Sequence, residues 1–151
     1  MTKIESNSFQ HLNNLKKLSL ERNQIDQIYS NGFQGLDNLE NLDLGNNKLT
    51  KLESNSFQHL NKLKKLELEQ NQIQQIETNG FQGLDNLEEL HLYFNKLIKI
   101  ESNSFQHLNK LKILNLNSNE IKQIDSNGFQ GLDNLEELHG NELCLKEYNL
   151  F

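Results

Sequence analysis

Apolar and polar positions recur along this chain with a period of 24 residues. Copies open at Leu15, Leu39, Leu63, Leu87 and Leu111, and each reads LxxLxLxxNx(I/L)xx(I/L)xxxxFxxLxx. A partial copy at 1–14 precedes them, and a sixth starts at Leu135 and degenerates over 135–151. The five full copies, 15–134, follow one another without a linker, so the chain reads as one domain. Within each copy the LxL triplet alternates apolar and polar, the pattern of a strand with one buried face. A single 24-residue turn cannot bury that face alone, whereas stacked turns cover one another. Leu18, Leu42, Leu66, Leu90 and Leu114 then form one internal row, and Phe9, Phe33, Phe57, Phe81, Phe105 and Phe129 a second toward the far side. Burying each such side chain contributes roughly 1.5–3 kcal/mol.

The ninth position of each copy is Asn23, Asn47, Asn71, Asn95 or Asn119. It falls where the strand turns away, which leaves backbone donors and acceptors to be paired. A side-chain amide can serve both kinds. The whole motif, with Phe and the final Leu in place, resembles leucine-rich repeats over essentially the entire chain. It is most similar to the 24-residue "typical" class of animal ectodomains. The resemblance implies an α/β-type repeat solenoid: a right-handed horseshoe with a parallel concave β-sheet, mostly irregular convex turns and a ladder of the asparagines. It also implies an extracellular, receptor-like or innate-immune-like setting. Two departures stand out. The slot where the family often has Pro holds Tyr29, Glu53, Glu77, Glu101 and Asp125, and cysteine-rich caps are absent.

A second period of 48 residues overlies the first. One type of copy carries "ESNSFQHLN" (5–13, 53–61, 101–109) and the other "NGFQGLDN" (31–38, 79–86, 127–134). The second position alternates Lys16, Glu40, Lys64, Glu88, Lys112, Glu136. With strands about 4.8 Å apart, every Lys gains a Glu neighbour, and a slip by one copy would stack like charges. The rival reading is inheritance from a duplicated two-repeat unit, and the two are compatible. Near-identity of the loops fits recent duplication or consensus construction, and the irregular substitutions Tyr29, Thr78 and Ile98 look more natural than idealised.

Charge and composition narrow the function. A net charge of −6 opposes a nucleic-acid backbone as partner. No apolar run is long enough to span a membrane. The absence of a secretory signal carries little weight, because the chain opens inside a repeat. With no signal, no N-glycosylation sequon and no cysteine caps, an intracellular setting stays open beside the extracellular one. The single cysteine, Cys144, permits no internal disulfide.

No reaction chemistry emerges, no cofactor is called for, and the chain reads as a non-enzyme. His11, His59 and His107 share one slot in alternate copies, about two strand spacings or 10 Å apart, too far for one metal ion. The same holds for His91 and His139. Glu67 and Glu69 point to one strand face about 6.5–7 Å apart, a separation seen in inverting glycosidases. No cleft is indicated to raise one pKa, and Lys64 and Lys65 lie nearby. No base is marked for Cys144, and phosphate-loop and nucleophile-elbow motifs are absent.

The outward slots of the strands behave differently from the rest. The seventh and eighth residues run Glu21-Arg22, Gly45-Asn46, Glu69-Gln70, Tyr93-Phe94 and Asn117-Ser118, and the fifth Ser19, Asp43, Glu67, His91 and Asn115. These positions vary most, while the convex loops hardly vary. The contrast favours a non-enzymatic recognition module that binds a protein ligand on its concave face. Tyr93 and Phe94 are its expected anchors, since rings give large contact area at low entropy cost. His91 and Ile113 are expected beside them, with Glu67, Glu69, Gln70, Asn115 and Asn117 as a polar surround. The plainer reading is that Phe94 folds over a neighbour and shields the sheet. The alternative function is a structural or consensus-like scaffold that mainly self-associates, most readily as a homodimer, through uncovered ends or the concave face.

Overall fold

The computed structural model describes residues 1–141. The rest of the degenerate sixth copy, 142–151 with Cys144, lies outside the described residues. Twelve strands follow in chain order: β1 (Lys3–Ile4), β2 (Lys17–Ser19), β3 (Gln27–Ile28), β4 (Asn41–Asp43), β5 (Lys51–Leu52), β6 (Lys65–Glu67), β7 (Gln75–Ile76), β8 (Glu89–His91), β9 (Lys99–Ile100), β10 (Ile113–Asn115), β11 (Gln123–Ile124) and β12 (Glu137–His139). The even-numbered strands form one six-stranded parallel sheet in the order β12-β10-β8-β6-β4-β2. Its register advances by one copy per strand, aligning Leu18, Leu42, Leu66, Leu90, Leu114 and Leu138. The chain is thus a parallel-strand β-solenoid.

No helix occurs among the described residues, so the α/β-type label fails in its helical half. The reason lies in the far-side turns. Bonds such as Ser8 N–H to the Glu5 carbonyl, and Leu12 N–H to that of Phe9, close isolated turns that do not propagate. Asn7, Asn55 and Asn103, at φ 63–66°, interrupt them in the left-handed region. Phenylalanines fill the space between these turns and the sheet. Successive rings from Phe9 to Phe129 stack with centroids 5.9–6.5 Å apart and planes within 15°. Phe33, Phe57, Phe81 and Phe105 are fully enclosed, so truncating one to Ala costs about 3–5 kcal/mol.

The asparagines do form a ladder. Asn71 donates through Nδ2 to the carbonyls of Leu68 and of Leu44 in the preceding copy, each 3.0–3.1 Å, and accepts from Leu49 N–H at 3.0 Å. Asn47 and Asn95 repeat the pattern, and each of the three is buried.

The 48-residue period has a backbone counterpart. The short strands pair as β1–β3, β5–β7 and β9–β11, always inside one two-copy unit. Inside a unit the far-side loops also join main chain to main chain, as in Asn55 N–H to the Asn79 carbonyl at 3.1 Å. Gly35, Gly83 and Gly131, at φ 93–95°, make this approach possible. A Cβ on any of them would meet the Cα of Gln10, Gln58 or Gln106 at 2.5–2.7 Å. The far-side loops of successive units meet through side chains instead: Gln58 Nε2 donates to the Ser30 carbonyl, and His59 bonds Asn31 Oδ1 at 3.1 Å. Sequence alternation therefore reflects two kinds of interface in addition to charge. The charged row forms as well, with Lys16 and Lys64 on either side of Glu40 at 3.2 and 2.9 Å and Lys112 on Glu88 at 2.8 Å.

Candidate functional site

The outward face of the sheet is built by strand register. Glu67, His91 and Asn115 lie side by side as direct partners in β6, β8 and β10. Tyr93 and Phe94 follow β8, where the chain turns off the sheet. Their backbone is fixed on both sides: Gln70 N–H donates to the Tyr93 carbonyl and Phe94 N–H to the Asn117 carbonyl, both at 3.0 Å. The three rings assemble as the sequence suggests. His91 meets Tyr93 edge-on at 6.2 Å, and Tyr93 meets Phe94 edge-on at 5.7 Å.

Phe94 is the exceptional residue. It is 57% exposed, and its φ is +53°. The eighth residue of every full copy shares this left-handed conformation: Arg22, Asn46, Gln70 and Ser118 lie at φ 53–57°. The turn itself therefore demands it. Asn adopts it readily, whereas a bulky side chain is an outlier there, at a cost of roughly 1–2 kcal/mol. With Gln70 and Asn71, Phe94 lines an open depression of about 410 Å³.

Of the remaining expected residues, Gln70 lines that depression with Phe94, Glu69 precedes it in the chain, and Asn115 and Asn117 belong to the next copy. Asn117 N–H donates to Asn115 Oδ1 at 3.0 Å. Ile113 is the register partner of Glu89, one pleat away from His91, so it flanks the group at the sheet's upstream edge.

Three residues absent from the expected set complete the surface. Glu21 and Asp43 extend the acidic side beyond Glu67 and Glu69. Both act on the Glu69 carboxyl, whose pKa is raised chiefly by burial and then by Glu67, Asp43 and Glu21. Gly45 lets Glu69 lie over it, since a Cβ there would fall 2.8 Å from Glu69 Oε1. The alignment of Gly45 with Glu69 in one outward row was the available sequence signal. Tyr93 is held above the usual phenol range by burial and then by Glu69 and Glu67.

Among the described residues no group of three or more His, Cys, Asp or Glu could hold a metal ion. No helix there is long and apolar enough to cross a membrane.

Comparison with known proteins places this geometry. The family model for the BspA type leucine rich repeat region matches six copies over residues 2–136. No curated protein matches the sequence. Among solved structures, the crystal structure of a TLR13–ssRNA13 complex superposes with a TM-score of 0.68 at 27% identity, over 93% of this chain and 24% of that one. The chain thus spans about a quarter of that neighbour's length. Motif, register and family model agree over nearly all of the described residues, and the chain belongs to the leucine-rich repeat proteins of the BspA type.

Proposed function

We propose that this chain is a non-enzymatic recognition module. It binds a protein ligand on the concave face of a right-handed horseshoe, in the manner of receptor ectodomains. Residues 15–134 supply the face, and Tyr93, Phe94 and His91 anchor the ligand. Glu67, Glu69, Gln70, Ile113, Asn115 and Asn117 surround them. One observation carries this reading: a large apolar ring stands exposed, in a backbone conformation that disfavours it, beside a second ring. Every other full copy fills this same left-handed slot with a polar side chain, Arg22, Asn46, Gln70 or Ser118, so the exposed ring is a departure that the turn does not require. The TLR13 neighbour was solved with ssRNA. Glu21, Asp43, Glu67 and Glu69 would repel a phosphate backbone here, which favours a protein.

Photo-cross-linking tests this. A benzophenone side chain at position 94 is expected to capture a partner from the source organism's extract, and one at Gln82, exposed on the far-side loop, is not. Adducts only between copies of this chain would favour the self-associating scaffold. Adducts at 82 and none at 94 would place binding on the wrong face for this account.

A further inference from the structure

We infer that the ligand segment received at Tyr93 and Phe94 is basic, presenting an arginine or lysine side chain to Glu69. This rests on the recognition reading above and adds the ligand's chemistry.

The argument starts from what each acid on this face already holds. Asp43 accepts from Ser19 Oγ at 3.1 Å and from Gly45 N–H at 2.9 Å. Glu21 accepts from Asn46 Nδ2 and pairs with Arg22 Nε, both at 3.2 Å. Glu67 pairs with Lys65 Nζ at 3.0 Å. Glu69 differs: its Oε2 is buried and no donor meets it. Buried acceptors are nearly always paired, so this oxygen marks a carboxylate whose charge is not matched within the chain. His91 Nδ1, on the neighbouring strand, is likewise buried and unmet.

Local cations do not supply the need. Lys65 acts on Glu69 only at a distance, because its ammonium is taken by Glu67 and reaches toward Glu89 at 3.9 Å. Arg22 is turned to Glu21. The local excess of negative charge therefore stands open beside two aromatic rings. Carboxylate and ring together suit a cation: the carboxylate takes charge-assisted N–H bonds, and the ring face attracts the same group. The depression lined by Gln70, Asn71 and Phe94 gives a long side chain somewhere to lie. Gly45 keeps the Glu69 carboxyl in place, since any side chain there would displace it. An acidic or neutral ligand would bring no countercharge to Glu69 and would desolvate it further.

The test uses the full chain and a displayed library of random short peptides, selected on the wild type and counter-selected on Tyr93→Ser/Phe94→Ser. A single-stranded RNA pool is run in parallel. Selected peptides are expected to be enriched in Arg and Lys. Their Kd should rise about tenfold with Glu69→Gln, the order expected for exchanging a charged for a neutral partner. Replacing the peptide's own basic residue by Gln should remove most of that difference. Peptides that need the two rings but show no basic enrichment would overturn this inference and leave the recognition reading standing. No peptide surviving the counter-selection, or RNA bound through the rings, would overturn both.

Discussion

Gly83 packs so tightly on Gln58 that a Cβ on the glycine would sit 2.5 Å from the Gln58 Cα. Two requirements coincide there, a left-handed φ of +93° and a backbone-to-backbone approach. Gly83→Ala is therefore expected to cost at least about 2 kcal/mol, combining the left-handed penalty with a forced backbone shift. Gln58→Ala, which removes only exposed side-chain bonds to Ser30 and Asn31, should cost well under half of that. Denaturant unfolding of the two variants measures the difference.

The asparagine ladder makes a sharper demand. Asn71→Ala leaves the buried Leu49 N–H without its partner and takes one of two amide donors from each of the Leu44 and Leu68 carbonyls, which keep Asn47 and Asn95. At about 1–3 kcal/mol for the one unsatisfied group and about 0.5–1.5 kcal/mol for each of the two other bonds lost, the loss should reach about 2 kcal/mol or more. Asn71→Asp keeps the acceptor and sets a charge against two carbonyls. Its penalty should shrink as pH falls and the carboxyl becomes a donor, which thermal melts across pH would show.

Acid should loosen the pairing inside a two-copy unit. Glu77 accepts from Ser54 N–H and Ser54 Oγ, each at 2.8 Å. These bonds, Ser54 N–H first, hold its pKa below the ordinary 4.5. A depressed folded pKa means the contribution is complete above about pH 4.5 and is lost as pH falls through the lowered value. Glu77→Gln should lower Tm at neutral pH, and the difference from the wild type should shrink as pH falls and the low-pH limb flattens.

Glu69 has the opposite sign. Burial first, then Glu67, Asp43 and Glu21, raise its pKa above 4.5. Its stabilising contribution is present below about pH 4.5 and is lost as pH rises through the raised value. At neutral pH the ionised carboxylate is a liability to the fold, so Glu69→Gln should keep or raise Tm at pH 7. The gain should fade toward pH 4.

Sequence alone made the sheet, the phenylalanine stack and the asparagine ladder legible, because each repeats in every copy under one packing constraint. The aromatic trio was legible for the opposite reason, as a departure at slots that elsewhere stay polar. Three features were hidden. The left-handed turn is shared by Arg22, Asn46, Gln70, Phe94 and Ser118, residues too unlike to signal one conformation. Pairing of short strands inside each unit follows from the approach of Gly35, Gly83 and Gly131 to a neighbouring backbone, which pattern cannot measure. The role of Glu77 and Asp125 at the slot where proline was looked for depends on Ser54 and Ser102, a copy away in sequence.

The central claim is that Tyr93 and Phe94 serve a partner rather than the fold. Its most direct measurement is the unfolding free energy of Tyr93→Ser/Phe94→Ser. Serine is already accommodated in the corresponding turn of the next copy, where Ser118 sits at φ 55°. Removing a strained, exposed ring offsets the lost edge-to-face contact, worth about 0.5–1.5 kcal/mol. The account predicts a stability within about 1 kcal/mol of the wild type. A loss above about 3 kcal/mol, the scale of deleting a buried aromatic side chain, would contradict it and make the pair a packing element.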